Sequence, residues 1–182
     1  MLARGAVVQF QFSGTVEVVP AALAGEFVAG ESISGTFSVE TTLNEFSFDA
    51  SGLSLTIGGD YAVTGAEGKL SVLDDFGGTI DVFHASFDGP LTGAPVNGLG
   101  PVEFDLALTL PTTAFSSGAV PTFIPVERAI GTLSSIDFAP DDGETLTFRV
   151  ASLAPVPEPS LTAMLGAGGL LLASRRRRAD RR

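Results

Sequence analysis

Apolar and polar residues alternate without interruption near the start of the chain. The sequence VQFQFSGTVEV, residues 8–18, puts five apolar side chains on one face: Val8, Phe10, Phe12, Val16 and Val18. Mostly polar side chains occupy the positions between them. Because successive side chains of a β-strand point to opposite faces, this period of two predicts a strand that is buried on one face.

The same period of two returns in seven further segments. Their sequences are GTFSVE, EFSFD, LSLTI, KLSVL, TIDVFHASF, VEFDLALTL and TLTFRV. Turn sequences rich in Gly, Asp, Asn and Pro separate them, at residues 58–60, 77–78, 88–90 and 97–98. No stretch before Pro155 keeps a helical spacing for three turns. The pattern predicts an all-β fold, namely an antiparallel β-sandwich of jelly-roll-like or Greek-key topology.

The composition is that of one folded domain with a separate C-terminal part. The chain has 182 residues, of which 45% are hydrophobic and 14 are Phe, enough to supply a core. Residues 112–125, TTAFSSGAVPTFIP, keep no period and predict a long loop or an edge excursion. We expect a remnant of a signal peptide at 1–5, the β-domain at 6–153, a Pro-rich linker at 154–160, and a hydrophobic helix with an arginine-rich tail at 161–182.

Charge is divided sharply along the chain. Before Pro155 there are 4 basic and 19 acidic residues, whereas the rest of the chain has 6 basic and 2 acidic ones. An acidic body repels phosphate backbones, which argues against a nucleic-acid partner. The chain has no cysteine, which excludes disulfides, thiol nucleophiles and cysteine-ligated metals. Nothing in the sequence implies a cofactor.

The candidate chemical groups each have a structural interpretation beside the functional one. His84 is the single histidine and has no recognisable nucleophile to activate, so a structural or surface role is favoured. The pairs Asp74-Asp75 and Asp141-Asp142 could offer oxygens to Ca²⁺. They lack the spacing of a calcium loop, and Asp-Asp-Gly is common turn chemistry, so turns are favoured and no metal site is assigned.

The sequence gives little support to an enzyme. It contains no G-x-S-x-G elbow, phosphate-binding loop, dinucleotide fingerprint or H-E-x-x-H motif, and no catalytic residue is assigned. The absence of Trp and a single Tyr leave few stacking platforms for sugars. The leading prediction is a non-enzymatic protein. A carbohydrate- or calcium-binding module that uses the acidic loops is the alternative, and a hydrolase would need clustered acids.

Three features follow one another at the C-terminus. Residues 154–160, APVPEPS, contain three prolines and cannot join a central strand or a helix interior. Residues 161–173, LTAMLGAGGLLLA, carry no charge and would form a helix of roughly 20 Å, predicted to be a transmembrane helix across a thinned bilayer. The arginine block at 175–178 would stay cytoplasmic. This order is that of a sorting signal read by a processing enzyme.

These residues resemble the C-terminal signal of PEP-CTERM proteins, over about the last 28 residues of the chain. The sorting motif consists of Val156, Pro157, Glu158 and Pro159. The membrane segment is marked by Leu161, Leu165, Leu170, Leu171 and Leu172. The basic stop consists of Arg175, Arg176, Arg177 and Arg178. Phrases similar to FSGTV and GESISGTFSV also recur in the bodies of such proteins.

The resemblance implies both how the protein is exported and where it is finally located. It implies export in a Gram-negative bacterium, with the precursor held transiently in the inner membrane. An exosortase, a membrane enzyme similar to a transpeptidase, would recognise Pro157, Glu158 and Pro159 and remove the tail. The product would lie at the cell surface or in the exopolysaccharide of a biofilm matrix. We expect a structural or adhesive role there, with exopolysaccharide as a partner.

The N-terminus departs from this family pattern. Family members begin with a secretory signal peptide, whereas MLARGAVVQFQF passes from Met1 into a strand pattern without an apolar h-region. Either translation starts further upstream and Ala3 to Ala6 belong to a remnant, or the chain is not exported. The first interpretation is preferred, because a sorting signal has no use in a protein that is never translocated.

Overall fold

Ten β-strands make up most of the computed structural model, which describes residues 6–44, 47–132, 134–139 and 143–156. They are β1 (Val7–Val18), β2 (Ser32–Asn44), β3 (Ser47–Ile57), β4 (Tyr61–Phe76), β5 (Ile80–Phe87), β6 (Leu91–Gly93), β7 (Gly100–Pro111), β8 (Gly131–Thr132), β9 (Ser134–Ala139) and β10 (Glu144–Pro155). A 3-10 turn, Val126–Arg128, precedes β8. The predicted strand segments are therefore confirmed as strands wherever the structure describes them.

The long strands pair in the order of the chain, and the last one returns to the first. The β1–β10 ladder places Phe12 opposite Leu153, and the β3–β4 ladder places Leu55 opposite Val63. β6 pairs with β4, and β8 pairs with β7, so these two short strands supplement longer ladders. The other eight strands of the described chain form a closed, antiparallel, up-and-down β-barrel.

The predicted β-sandwich of jelly-roll-like or Greek-key topology is therefore wrong. Pairing of β10 with β1 and of β3 with β4 leaves one closed sheet, where a sandwich would have two facing sheets. The error has a simple physical origin. A strand that faces a barrel interior alternates between apolar and polar residues in the same way as a strand that faces the other sheet of a sandwich.

The predicted C-terminal hydrophobic helix that spans the membrane is not found among the described residues. In the described ranges the helical element is the three-residue 3-10 turn, and no helix there is long and apolar enough to cross a membrane. Residues 161–182, to which the prediction applied, lie outside the described residues.

Phenylalanine rings fill the interior of the barrel. Eight of them are less than 2% exposed: Phe10, Phe12, Phe37, Phe83, Phe87, Phe104, Phe138 and Phe148. The ring centroid of Phe12 lies 5.5 Å from that of Phe104 and 6.4 Å from that of Phe148. Burying one such side chain contributes about 1.5–3 kcal/mol, and aromatic pairing adds to it. The interior is a packed core, so function is expected on the outer surface and at the ends.

Two residues predicted on the buried face lie outside this core. Val18 is 57% exposed and Val102 is 41% exposed. The β1–β10 register shifts between Val16 and Val18, and the β7–β9 register shifts between Pro101 and Glu103. Such a bulge adds a residue to one strand and re-aims the neighbouring side chain. Strict alternation therefore fails at these two positions.

Because neighbouring strands run in opposite directions, successive connections lie at opposite ends of the barrel. One end, which we call the tail end, has the start of β1, the β4–β5 turn at 77–79, the connection 112–130 and the end of β10. The opposite end, the far end, has the connections 19–31, 58–60 and 88–99. The irregular stretch predicted at 112–125 is confirmed as part of the long tail-end connection.

Packed aromatic residues close the far end. The ring of Phe27, from the 19–31 connection, lies 4.9 Å from that of Tyr61 and 5.7 Å from that of Phe138. The Tyr61 hydroxyl donates a hydrogen bond of 2.6 Å to the carbonyl oxygen of Ala94. Burial, and then the charge of Glu26, raise the pKa of Tyr61 to about 12. Tyr61 thus stays neutral and ties two far-end connections together.

Candidate functional sites

A buried carboxylate, Asp81, holds the connection that covers the tail end. The residue is 0% exposed. Its Oδ2 accepts hydrogen bonds from the backbone N–H groups of Ala114 (3.0 Å) and Phe115 (2.7 Å). Its Oδ1 accepts one from the N–H of Asp75 (2.9 Å). Three donors compensate the carboxylate for lost water, and they bind the 112–130 connection and the end of β4 to the barrel.

Asp81 belongs to a cluster of three carboxylates. An oxygen of each of Asp74, Asp75 and Asp81 lies within 4.8 Å of the others. Desolvation, and then the charges of the two neighbours, raise the pKa of Asp74. Asp75 has a φ of 54°, a turn conformation that Asp tolerates. Because both oxygens of Asp81 hold backbone N–H groups, the geometry favours turn chemistry over a calcium site. Asp141 and Asp142 lie outside the described residues.

Asp81 is not among the site residues predicted from the sequence, although its position in the strand pattern indicates a buried carboxylate. In TIDVFHASF, Asp81 has the same parity as Phe83, Ala85 and Phe87, which are all fully buried. A carboxylate on the apolar face of a strand predicts a buried group with hydrogen-bond partners. The identity of the partners could not be predicted, because two of them come from an irregular connection 33 and 34 residues further along the chain.

His84 lies on the outer face of the barrel, beside Asp105 of β7. Its Nε2 is 2.7 Å from Oδ1 of Asp105, and the two side chains are 42% and 23% exposed. This hydrogen bond raises the pKa of His84, against the effect of burial, and lowers the pKa of Asp105. Desolvation, and then the charge of Asp105, raise the pKa of Glu103. The side chain of Ser86 also hydrogen-bonds to Asp105, and the structural or surface role of His84 stays a prediction.

The His84–Asp105 pair predicts a defined pH dependence. The raised pKa of His84 means that its contribution to stability is complete below the unfolded value near 6.5 and is lost as pH rises through the folded value. The lowered pKa of Asp105 has the opposite sign, with a contribution that is lost as pH falls below 3.8 through the folded value. We expect His84→Gln to cost up to about 1 kcal/mol at pH 5 to 6 and almost nothing at pH 9.

Proton NMR can test this directly, because the chain has one histidine. The ring signal of His84 should titrate above its ordinary value of about 6.5, and Asp105→Asn should bring the midpoint down. Glu103→Gln, which removes a more distant charge, should change the midpoint less. A midpoint that does not move in Asp105→Asn would show that the pair is not formed in solution.

An acidic cleft lies on the outer face where β3 and β4 meet the start of the 88–99 connection. It has a volume of about 430 Å³, and its charged lining consists of Glu40, Asp49, Glu67, Lys69 and Asp88. Lys69 forms an ion pair with Asp49. Carboxylates attract cations, whereas aromatic rings, which stack on sugars, do not occur in this lining. Of the two binding alternatives, the cleft fits a cation better than a carbohydrate.

The structure reaches Val156, the first residue of the predicted sorting motif. Its N–H donates a hydrogen bond of 2.7 Å to the carbonyl of Gln9, and Pro155 stands opposite Phe10 in the β1–β10 ladder. Ala154 and Pro155, which were predicted to belong to a linker that cannot join a strand, therefore end β10, and the barrel positions the beginning of the motif beside β1. The other motif and tail residues lie outside the described residues: Pro157, Glu158, Pro159, Leu161, Leu165, Leu170, Leu171, Leu172, Arg175, Arg176, Arg177 and Arg178.

The fold and these sites define a class of protein: a phenylalanine-filled up-and-down β-barrel with its polar chemistry on the outer surface and at the ends. The chain matches no protein-family model, no curated protein and no solved structure. Function is therefore inferred from the residues of this chain.

Proposed function

We propose that this protein is a non-enzymatic β-barrel that is exported and sorted to the cell surface or extracellular matrix by its C-terminal signal. The signal is of the PEP-CTERM type, and the processing enzyme is an exosortase-like membrane enzyme. The precursor is held transiently at the inner membrane of a Gram-negative bacterium. After processing, the acidic barrel has a structural or adhesive role, with exopolysaccharide as a candidate partner.

One observation carries this proposal. The Pro-Glu-Pro step at 157–159 begins one residue after the end of β10. An uncharged run at 161–173 and four consecutive arginines at 175–178 come after it. The last described residue before the step, Val156, is half-buried against β1, so the motif begins where the barrel ends. A processing enzyme could therefore cut the chain without removing a strand from the barrel.

A closed barrel has properties that suit an exported protein. In the closed sheet each of the eight barrel strands pairs with a neighbour on both sides, so the described sheet does not end in a long free edge. Free edges are templates for aggregation, and barrels remove them. The packed phenylalanine core can provide stability without disulfides, which this chain cannot form. These properties support a stable surface or matrix component.

Glu158→Ala is the variant that tests the proposal. Glu158 is the one charge in the proline step, and an enzyme can recognise it by charge-assisted hydrogen bonds worth about 1.5–3 kcal/mol each. We expect the precursor to accumulate in the membrane fraction of a native host, while the released, processed form is strongly reduced. Quantitative immunoblots of membrane and surface fractions measure the ratio.

Two controls make the result specific. Asp60→Ala removes an exposed carboxylate from the far end of the barrel and should leave processing unchanged. Replacing Arg175 to Arg178 with Ser should weaken retention, so that unprocessed chains are mis-sorted instead of accumulating in the membrane. Equal processing of Glu158→Ala and the wild-type protein would argue against recognition of this motif.

A further inference from the structure

The two ends of the barrel differ in their exposed apolar side chains. At the tail end, Phe76 is 57% exposed, Phe123 is 68% exposed and Ile130 is 65% exposed. Phe123 and Ile130 belong to the 112–130 connection, and Phe76 ends β4 just before the β4–β5 turn. The far end exposes smaller apolar side chains, namely Val18, Val28 and Val102. The tail end therefore exposes larger apolar side chains, phenylalanine and isoleucine, than the far end does.

The main connection of the tail end carries less net charge than the connections of the far end, although Asp74 and Asp75 lie beside Phe76. The 19 residues of the 112–130 connection contain one acid, Glu127, and one base, Arg128, so the connection is neutral. In the far-end connections the charged residues are all acidic: Glu26, Glu31, Asp60 and Asp88. Acidic groups at the far end repel an anionic surface, whereas a neutral apolar connection tolerates the headgroup region of a bilayer.

The position of the tail determines which end is nearer to a membrane. β10 runs toward the tail end, and Val156 is bound there to Gln9 of β1. Residues 157–160 separate Val156 from the uncharged run that begins at Leu161. Val156 and Leu161 are five residue steps apart, and this length of chain spans at most roughly 18 Å, even when fully extended. If the uncharged run enters a bilayer, the tail end must lie within about that distance of its surface.

We propose that the tail end of the barrel rests on the headgroup layer of the membrane that takes up the tail, with Phe123 and Ile130 in contact with lipid. This inference rests on the proposed function, because it requires the uncharged run at 161–173 to enter the membrane. Asp74 and Asp75 immediately precede Phe76, so contact centres on the 112–130 connection and is stronger with zwitterionic than with anionic lipid. The barrel is thereby oriented with its acidic far end away from the membrane.

Fluorescent labels on single cysteines can test this orientation, since the natural chain has no cysteine. Ser116→Cys marks the tail end and Ala24→Cys marks the far end, both at exposed positions. Met164→Cys reports on the uncharged run. Each full-length variant is reconstituted into phosphatidylcholine–phosphatidylethanolamine vesicles that contain a lipid with a nitroxide on its headgroup. We expect the label at 116 to be quenched at least about twofold more than the label at 24, because interfacial contact brings it to headgroup depth.

Variants at the apolar positions connect the result to these side chains. Phe123→Ser with Ile130→Ser, in the Ser116→Cys background, should reduce the quenching toward that of the far-end label. Val18→Ser with Val28→Ser, a matched change at the far end, should leave it unchanged. Replacing half of the lipid with phosphatidylglycerol should also reduce it.

Three results would overturn the inference. If Met164→Cys is quenched but the labels at 116 and 24 respond equally, the barrel has no preferred orientation, and the proposed function stands without this inference. If the label at 116 becomes shielded without vesicles and in proportion to protein concentration, a second copy of the chain covers this end. If Met164→Cys is not quenched, the tail does not enter the bilayer, and both proposals fail.

Discussion

Asp81→Ala is expected to lower the free energy of unfolding by about 3–5 kcal/mol, since a buried donor left without a partner costs about 1–3 kcal/mol. The substitution leaves the N–H groups of Asp75, Ala114 and Phe115 without the acceptor that they now share. The 112–130 connection also loses its attachment to β5. Urea denaturation of the full-length chain, followed by far-ultraviolet circular dichroism, measures the change.

Asp74→Ala is the matched control. Asp74 belongs to the same carboxylate cluster but is exposed, and its pKa is raised by desolvation and by the charges of Asp75 and Asp81. Removing it relieves repulsion, so stability should stay close to that of the wild-type protein or rise slightly at neutral pH. Asp81→Asn, which keeps one carbonyl acceptor, should lie between the two. Equal effects of Asp81→Ala and Asp74→Ala would contradict the anchoring role of Asp81.

Gly14→Ala is expected to destabilise the barrel by about 3 kcal/mol, at the upper end of the cost of overpacking. A Cβ added at Gly14 would lie 2.1 Å from the carbonyl oxygen of Arg149. Both residues belong to the β1–β10 ladder, which closes the barrel, and the register shifts there between Ser13 and Gly14. Because the obstacle is backbone, relief requires the two strands to separate locally.

Gly25→Ala provides the comparison for this substitution. A Cβ at Gly25 would meet no atom within 4 Å, and the residue lies in the far-end connection. Its effect should stay within about 0.5 kcal/mol of zero. The melting temperatures of the two variants, measured on full-length chains, should differ clearly. A Gly14→Ala protein as stable as Gly25→Ala would show that β1 and β10 are not packed as described.

The strands could be predicted from the sequence, but their closure into a barrel could not. Alternation at residues 8–18 and 102–110 predicts β1 and β7, because one face of each strand is buried. Alternation does not say which strand is the neighbour. Closure depends on the pairing of Phe12 with Leu153, which are far apart in the chain, and no local pattern encodes it.

In the candidate sites too, the strand position of a residue could be predicted from the sequence, but its partner could not. His84 could be predicted as a surface residue from its strand position, whereas its partner Asp105 is brought there by the pairing of β5 with β7. Asp81 could have been predicted as buried from its parity with Phe83. Its function as an anchor could not, because the donors belong to an irregular connection. The predicted sorting signal in the tail differs from these sites, because its prediction depends on the order of residues along the chain and needs no tertiary structure.

The end of the barrel and the beginning of the predicted sorting motif lie next to each other in the chain. The phenylalanine core makes the body independent of a bound ligand in its interior. The β1–β10 ladder positions Val156 at the tail end, where the sorting motif begins. In the proposed function, cleavage at the motif frees an acidic, closed barrel whose strands all precede the cut.

The intact mass of the wild-type protein, released from the surface of a native host, tests the central claim most directly. The sorting proposal predicts a mass that lacks the segment from the Pro-Glu-Pro step onward, including the arginines at 175–178. The body from β1 to β10 should be complete. Protein recovered with its arginine tail still attached would show that the C-terminus is not a processed signal, and the proposed function would have to be abandoned.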